Sequence, residues 1–290
     1  MSSCIVLRNR AELQSWRAGL GSSETVGLVP TMGALHAGHA ALVRRARAEN
    51  AQALVSIFVN AMQFNRAEDL ARYPRSLEAD RELCTAAGAQ AIYAPEAADV
   101  YGPGFATAIE PGPAASAFEG AFRPGHFRGV LTVVLKLLER TQPRRAYFGE
   151  KDAQQLFLVR QMVKDFDLAA EIVACATVRD SDGLAMSSRN RRLLPEQRAD
   201  ALALWRCLEA ARAAFAAGER RPAALDESMQ SVLAAASTRG AVSADYAAVV
   251  DDRDFAPARA AEPGPWRALV AASVHGIRLI DNIPLGDARA

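Results

Sequence analysis

The sequence predicts an α/β fold: a Rossmann-like, doubly wound parallel sheet followed by a smaller C-terminal α+β domain. Three observations carry that prediction. Short runs rich in Val, Ile, Phe and Tyr alternate with longer amphipathic stretches as far as about residue 180. Beyond that point the composition becomes alanine-rich and helical before strand-like runs return. A length of 290 residues suits about two domains of roughly 150 residues each.

Taken in order, residues 26–30, 54–59, 91–94, 146–148 and 172–178 read as buried strands. Residues 38–50, 77–87, 129–140 and 153–165 read as the helices between them. Such alternation argues for a parallel sheet covered on both faces, and right-handed crossovers make it doubly wound. Ligands of such sheets gather beyond the carboxyl ends of the strands, so the segments that follow each strand are where chemistry is sought. Residues 101–113, with three prolines and three glycines, read as a loop. A turn at 180–183 precedes helical stretches at 195–217 and 222–236. Residues 247–250, 268–272 and 277–280 then read as a small antiparallel sheet. The expected domains are 1–176 and 177–290. No internal repeat or low-complexity segment interrupts them.

Composition excludes several classes. Half of the residues are apolar and 23% are charged, which suits a globular protein rather than a disordered one. Lys and Arg number 34 against 33 Asp and Glu, a net charge of +1, so no excess charge is available to hold a nucleic-acid backbone. No run approaches the roughly 18 to 20 apolar residues needed to span a bilayer. Residues 1–10 lack a basic segment followed by an apolar core, the pattern of an export signal. Cys4, Cys84, Cys175 and Cys207 form no CxxC pair and read as free thiols of a cytoplasmic protein. Only three basic residues are lysine (Lys136, Lys151, Lys164), the rest being arginine. A lysine kept against that default is a candidate for a task needing a compact ammonium.

Five segments then stand out. After the first strand comes Pro30-Thr31-Met32-Gly33-Ala34-Leu35-His36-Ala37-Gly38-His39. Its glycines admit a close ligand, and the helix start that follows offers unpaired N–H groups. His36 and His39 share one face and can reach one phosphate group, or they are helix-start histidines without a ligand. No GxGxxG or Walker A pattern accompanies them, and no third ligand at a usual metal spacing lies nearby. After the second strand, Asn60 and Gln63 suit a polar substrate or simple capping. Residues 69–75 read as a flap or a solvated loop. Arg123 and Arg128 flank a helix start as a candidate anion clamp, with His126 joining it or orienting the loop. The fourth strand delivers Gly149-Glu150-Lys151-Asp152, then Gln154 and Gln155. Lys151 can neutralise charge that builds during phosphoryl transfer. Asp152 can hold that lysine, hold magnesium through water, or act as a cap. Met186-Ser187-Ser188-Arg189-Asn190, at the expected domain seam, offers hydroxyls and a guanidinium to phosphate oxygens, or is a plain loop.

These segments together resemble the pantothenate synthetase family of the HxGH nucleotidylyltransferases. The carriers are Pro30-Thr31-Met32-Gly33 with His36-x-Gly38-His39, Phe58-Val59-Asn60, Arg123-Pro124-Gly125-His126-Phe127, Gly149-Glu150-Lys151-Asp152 with Gln155, and 186–190. The likeness continues loosely to Leu279-Ile280-Asp281-Asn282. It implies ATP-dependent condensation of pantoate with β-alanine through a pantoyl adenylate, by a homodimer, with Mg2+ arriving on the ATP phosphates. By the same resemblance Met32, Gly33, Ala34, Leu35, His36, Ala37, Gly38 and His39 would line the ATP site, with Gly149, Glu150, Lys151, Asp152, Val178, Met186, Ser187, Ser188 and Arg189. His39 would donate a proton, and Lys151, Ser187, Ser188 and Arg189 would stabilise the transferring phosphoryl group, with Arg123 a weaker candidate. Gln63 and Gln155 would hold pantoate, with Gln63 also near β-alanine and Asn60 in the same pocket. No covalent nucleophile is required. Two departures matter: Ala61 and Ala176 stand where the family usually has proline, and Ala61 is expected to loosen the loop carrying Gln63. The alternatives are an HxGH transferase that stops after nucleotidyl transfer, and a non-catalytic nucleotide binder.

Overall fold

Six strands form one parallel sheet, its inner four mostly buried: β1 (Ile5–Leu7), β2 (Val26–Thr31), β3 (Gln52–Ile57), β4 (Ala91–Tyr93), β5 (Arg145–Gly149) and β6 (Glu171–Cys175). Their order is β1-β4-β3-β2-β5-β6. In this computed structural model, residues 4–65, 67–238, 240–260 and 264–286 are described. The first three residues of the segment read for an export signal, and the outer ends of both expected domains, lie outside them. The chain divides into two compact units, Met1–Gly149 with Leu158–Ala176, and Glu150–Phe157 with Thr177–Ala290.

In the first unit β2 is flanked by β3 and β5, both parallel to it, with Thr31 opposite Ile57. The chain order reverses between β2 and β5, which makes their carboxyl ends the switch point where such sheets bind ligands. Helix Ala37–Glu49 buries Ala40, Val43 and Ala46 along one stripe, and helix His126–Thr141 buries Phe127, Val130, Leu131, Val134, Leu137 and Leu138. Both elements are anticipated by periodicity, as are helices Leu77–Ala87 and Ala153–Asp165.

Among the departures from expectation are three at the edges of this sheet. The edge strand β1 and helix Arg10–Ala18 were not foreseen. Three residues give β1 no alternation to read, and the helix depends on an Asn9 cap whose side chain accepts the Glu12 N–H at 2.9 Å. The strand expected at 172–178 stops at Cys175. Val178 is β-branched and extends the apolar run, but its carbonyl accepts the Met186 N–H at 2.9 Å in a separate hairpin.

In the second unit β7 (Val242–Asp251), β8 (Trp266–Val274) and β9 (Ile277–Leu285) form the antiparallel sheet, with β8 central. Leu204, Leu208, Leu225, Met229 and Leu233 of helices Pro195–Ala216 and Pro222–Ser237 pack with Val249, Trp266, Val270 and Leu279 of the strands. Each strand is longer than its apolar run suggests, and in β7 and β9 buried polar residues, Asp251, Asp281 and Asn282, lie beyond those runs.

Candidate active site

In the first unit the chain leaves β2 through a loop whose shape is fixed from three sides. Thr31 Oγ1 donates to the Ser56 carbonyl at 2.8 Å and accepts the Gly33 N–H at 3.2 Å. Gly33 has φ +81°, and a Cβ there would meet Asp80 Oδ2 at 2.9 Å. Asp80 is 3% exposed, and its two oxygens accept the N–H groups of Ala34 and Leu35 at 3.0 and 2.7 Å. That carboxylate holds Ala34 in its left-handed conformation, φ +53°. Sequence reasoning missed Asp80, although its spacing with Cys84 and Ala87 placed a carboxylate on the buried stripe of its helix.

The helix that follows is capped by its own histidines. His36 Nδ1 accepts the Gly38 N–H at 3.2 Å, and His39 Nδ1 accepts the His36 N–H at 3.3 Å. The two rings lie 4.1 Å apart between centroids. An Nδ1 that accepts cannot carry the proton of a neutral imidazole, so each neutral ring holds it on Nε2. Two N–H donors at a helix N-terminus, where the backbone contributes partial positive charge, form an arrangement suited to phosphate oxygens.

Asn60 and Gln63 are more deeply set than a pocket mouth requires, at 0% and 7% exposure. Asn60 Nδ2 donates to Gln63 Oε1 and to the Gly129 carbonyl, both at 3.0 Å. Its Oδ1 accepts the Met62 N–H at 3.3 Å and the Tyr101 hydroxyl at 2.8 Å. Asn60 therefore shapes the turn Ala61–Gln63 and orients the Gln63 amide, whose Nε2 lies 3.0 Å from Met32 Sδ. The Gln63 carbonyl accepts from His126 Nδ1 at 2.9 Å and from Arg123 Nη2 at 3.4 Å. The His126 bond ties the start of its helix to this turn, a contact in keeping with the orienting reading. Gly129 lets helix His126–Thr141 press on this turn, since a Cβ there would lie 2.4 Å from the Met62 carbonyl oxygen. The turn that Ala61 was expected to loosen is thus held from three directions.

In the second unit Glu150–Asp152 forms a single helical turn leading into helix Ala153–Asp165. Lys151 is half-buried, and among the described residues no hydrogen bond or ion pair engages its ammonium, Asp152 included. Val178 and Met186 face each other across the hairpin that carries Ser187. Ser187 Oγ accepts the Arg189 N–H at 3.2 Å, capping the turn Ser188–Arg192. Asn190 Nδ2 ties that turn to the Ala185 carbonyl at 3.0 Å, and Arg189 Nη1 reaches the Arg278 carbonyl at 3.5 Å. Ser187, Ser188, Arg189 and Gln155 are all partly exposed. No grouping of three or more His, Cys, Asp or Glu suited to a metal occurs among the described residues.

Comparison with known proteins gives consistent findings. Residues 5–284 match the family model described as pantoate-beta-alanine ligase. A curated pantothenate synthetase of Roseiflexus sp. (strain RS-1) is 50% identical over 282 residues, covering 97% of this chain and 99% of the relative. The crystal structure of pantothenate synthetase from Thermus thermophilus superimposes with a TM-score of 0.90 at 44% identity, covering 98% of this chain and all of that one. A pantoate-beta-alanine ligase from Francisella tularensis, solved with beta-gamma ATP and beta-alanine, gives 0.80 at 33% identity over 99% of each chain.

Proposed function

The chain belongs to the pantoate–β-alanine ligase family, and from that premise we propose that it condenses pantoate with β-alanine, using ATP. A pantoate carboxylate oxygen bonds to the α-phosphorus as the bond to pyrophosphate breaks, leaving pantoyl adenylate. The β-alanine nitrogen then bonds to the acyl carbon, the carbon–oxygen bond to AMP breaks, and the nitrogen sheds a proton. A carboxylate is a poor acyl donor until its oxygen belongs to such a leaving group, so the protein's work is alignment, charge neutralisation and exclusion of water.

The reciprocal His36–His39 cap carries this reading, because it sets two imidazole rings 4.1 Å apart at a helix start, an arrangement suited to a single anion. Met32 to His39, Gly149 to Asp152, Val178 and Met186 line the ATP site, and His39 is the proton donor of a hydrogen bond from Nε2–H to an oxygen of the departing pyrophosphate. The Lys151 ammonium, the Arg189 guanidinium and the Ser187 and Ser188 hydroxyls oppose charge gathering on the departing phosphates. Gln63 and Gln155 hold pantoate, and Gln63 also meets β-alanine. Asn60 and Arg123 serve that pocket through Gln63, whose side-chain and main-chain oxygens they contact. Mg2+ enters as part of the cosubstrate, on ATP oxygens. The protein acts in the cytoplasm as a homodimer without nucleic acid, a setting that fits four buried cysteines, none of them in a disulfide among the described residues. No helix among the described residues is long and apolar enough to cross a membrane.

The test is AMP formation from purified protein. AMP is expected only with ATP, pantoate and β-alanine together, and pyrophosphate–ATP exchange with pantoate alone. Pyrophosphate release with no requirement for an amine would mean transfer without ligation. ATP binding without AMP in any mixture would mean a non-catalytic binder.

A further inference from the structure

We propose that Asn282 is a positioning residue that sets the Lys151 ammonium for phosphoryl transfer by gripping the main chain that carries it. The inference rests on the role given to Lys151 above. Asn282 lies in β9 and is 4% exposed. Its Nδ2 donates to two consecutive carbonyls, those of Glu150 at 2.9 Å and Lys151 at 2.8 Å. Its Oδ1 accepts from Arg267 Nη1 at 2.6 Å. Arg267, on the neighbouring strand β8, is fixed in turn by a two-pronged pair with Asp252 at 2.7 and 3.0 Å.

The main chain of Asn282 is anchored as firmly. Its N–H donates to Asp281 Oδ1 at 2.8 Å, and its carbonyl accepts from Arg179 Nη2 at 3.2 Å. Arg179 grips both oxygens of Asp281 at 2.6 and 2.9 Å. Every polar group of Asn282 is therefore engaged, and all of its partners belong to the second unit. Only a primary carboxamide supplies two donors on one side and an acceptor on the other at this length. An aspartate would turn an oxygen on two carbonyl oxygens, and an apolar residue would remove all three part-buried hydrogen bonds.

Lys151 needs such a foundation because nothing among the described residues holds its ammonium. Placement of that charge then falls to the backbone, and a shift of about 1 Å in a catalytic group can cost about 10²-fold in rate. The ladder Asp252–Arg267–Asn282 ties the reacting segment to the rigid sheet of its own unit.

The experiment is pantoate-dependent pyrophosphate–ATP exchange in Asn282→Asp, Lys151→Ala and the double variant. Asn282→Asp nearly preserves volume and keeps an oxygen for Arg267. Lys151→Ala should lower exchange by at least about 10²-fold. Asn282→Asp should lower kcat by about 10- to 30-fold while the KM for ATP moves less than about threefold. Placed on Lys151→Ala, it should cost less than about twofold more, because a residue acting through Lys151 has nothing left to position. Losses that multiply in the double variant, or a normal kcat in Asn282→Asp, would overturn the proposal. Normal exchange in Lys151→Ala would instead sink the role of Lys151 itself. Should Asn282→Asp fail to fold, Arg267→Lys keeps the charge beside Asp252 but loses the fork to Asn282. It should lower kcat by about 3- to 10-fold, again only when Lys151 is present.

Discussion

The two units hold their reactive segments by opposite chemistry. In the first, a buried carboxylate accepts two consecutive N–H groups, Asp80 on Ala34 and Leu35. In the second, a buried carboxamide donates to two consecutive carbonyls, Asn282 on Glu150 and Lys151. The polarity of each strut follows from the backbone it meets: amides exposed ahead of a helix in one case, carbonyls of a helical turn in the other. The reactive side chains differ as well. His36 and His39 are part of the scaffold, because each accepts a backbone N–H of the cap, whereas among the described residues no hydrogen bond or ion pair engages the Lys151 ammonium. Function and stability are therefore coupled in the first unit and separable in the second.

Substitution exposes that difference most strongly. His39→Ala and Lys151→Ala should each lower pyrophosphate exchange by at least about 10²-fold. Their stabilities should diverge: loss of a cap costs about 1 kcal/mol for His39→Ala, while Lys151→Ala stays within about 0.5 kcal/mol of the parent. Urea unfolding beside the exchange assay checks both. Equal destabilisation would erase the contrast, and near-normal exchange in both variants would remove these residues from the site.

Asp80→Asn tests the strut of the first unit. One amide oxygen cannot replace two carboxylate oxygens, and its NH2 would face an amide N–H. Stability should fall by about 2 kcal/mol, the cost of a lost charge-assisted hydrogen bond to a buried donor. The KM for ATP should rise more than kcat falls, since the loop loses shape while the imidazoles remain. An unchanged unfolding midpoint would show that the Gly33–Leu35 loop keeps its conformation without the carboxylate.

That strut also marks where sequence reading stopped. The parallel sheet, helices Leu77–Ala87 and Ala153–Asp165, and the second-unit sheet were legible because apolar periodicity follows burial. His36, His39 and Lys151 were legible through residue type and position after a strand. Asp80 was not, and Asn282 entered only at the end of a loose family likeness, for one physical reason: each is a polar residue buried for the sake of a backbone partner distant in sequence. Apolar periodicity does not register a buried polar residue, and Asp281 and Asn282 made β9 read as four residues instead of nine. A polar residue on an otherwise apolar stripe is the signal that could have found Asp80, whereas no local pattern points from Asn282 to Glu150.

Asp226 sharpens the comparison between carboxylates. It accepts one N–H, from Val249 at 2.7 Å, and burial pushes its carboxyl up to about 6. A carboxylate raised in the folded state binds its proton more tightly there, so stability falls as pH rises from about 4 through 6. Asp226→Asn keeps an oxygen for Val249 and removes that fall. It should add about 1 kcal/mol at pH 8, a figure reduced for solvent screening of a half-buried group, and nothing at pH 3. Unfolding at both pH values checks the sign. A gain of equal size at both would mean that charge is not the cause.

The smallest effect belongs to Ala61, where sequence and structure give opposite expectations. Proline's absence suggested a loose turn under Gln63, but Asn60, His126 and the close approach at Gly129 hold that turn without it. Ala61 opens the turn, a position whose N–H has no intrahelical partner and which tolerates proline. Asn60 precedes it with φ −82° and ψ 106°, within the extended region favoured before proline. Ala61→Pro should therefore stabilise by about 0.4–1 kcal/mol through the unfolded chain, and leave the KM for pantoate within about twofold because the bound shape already exists. Thermal unfolding and steady-state kinetics separate the two expectations. A KM that drops severalfold would show that the folded turn is loose and that its three supports do not substitute for proline. A loss of stability would show that the Ala61 N–H or its φ matters to the fold.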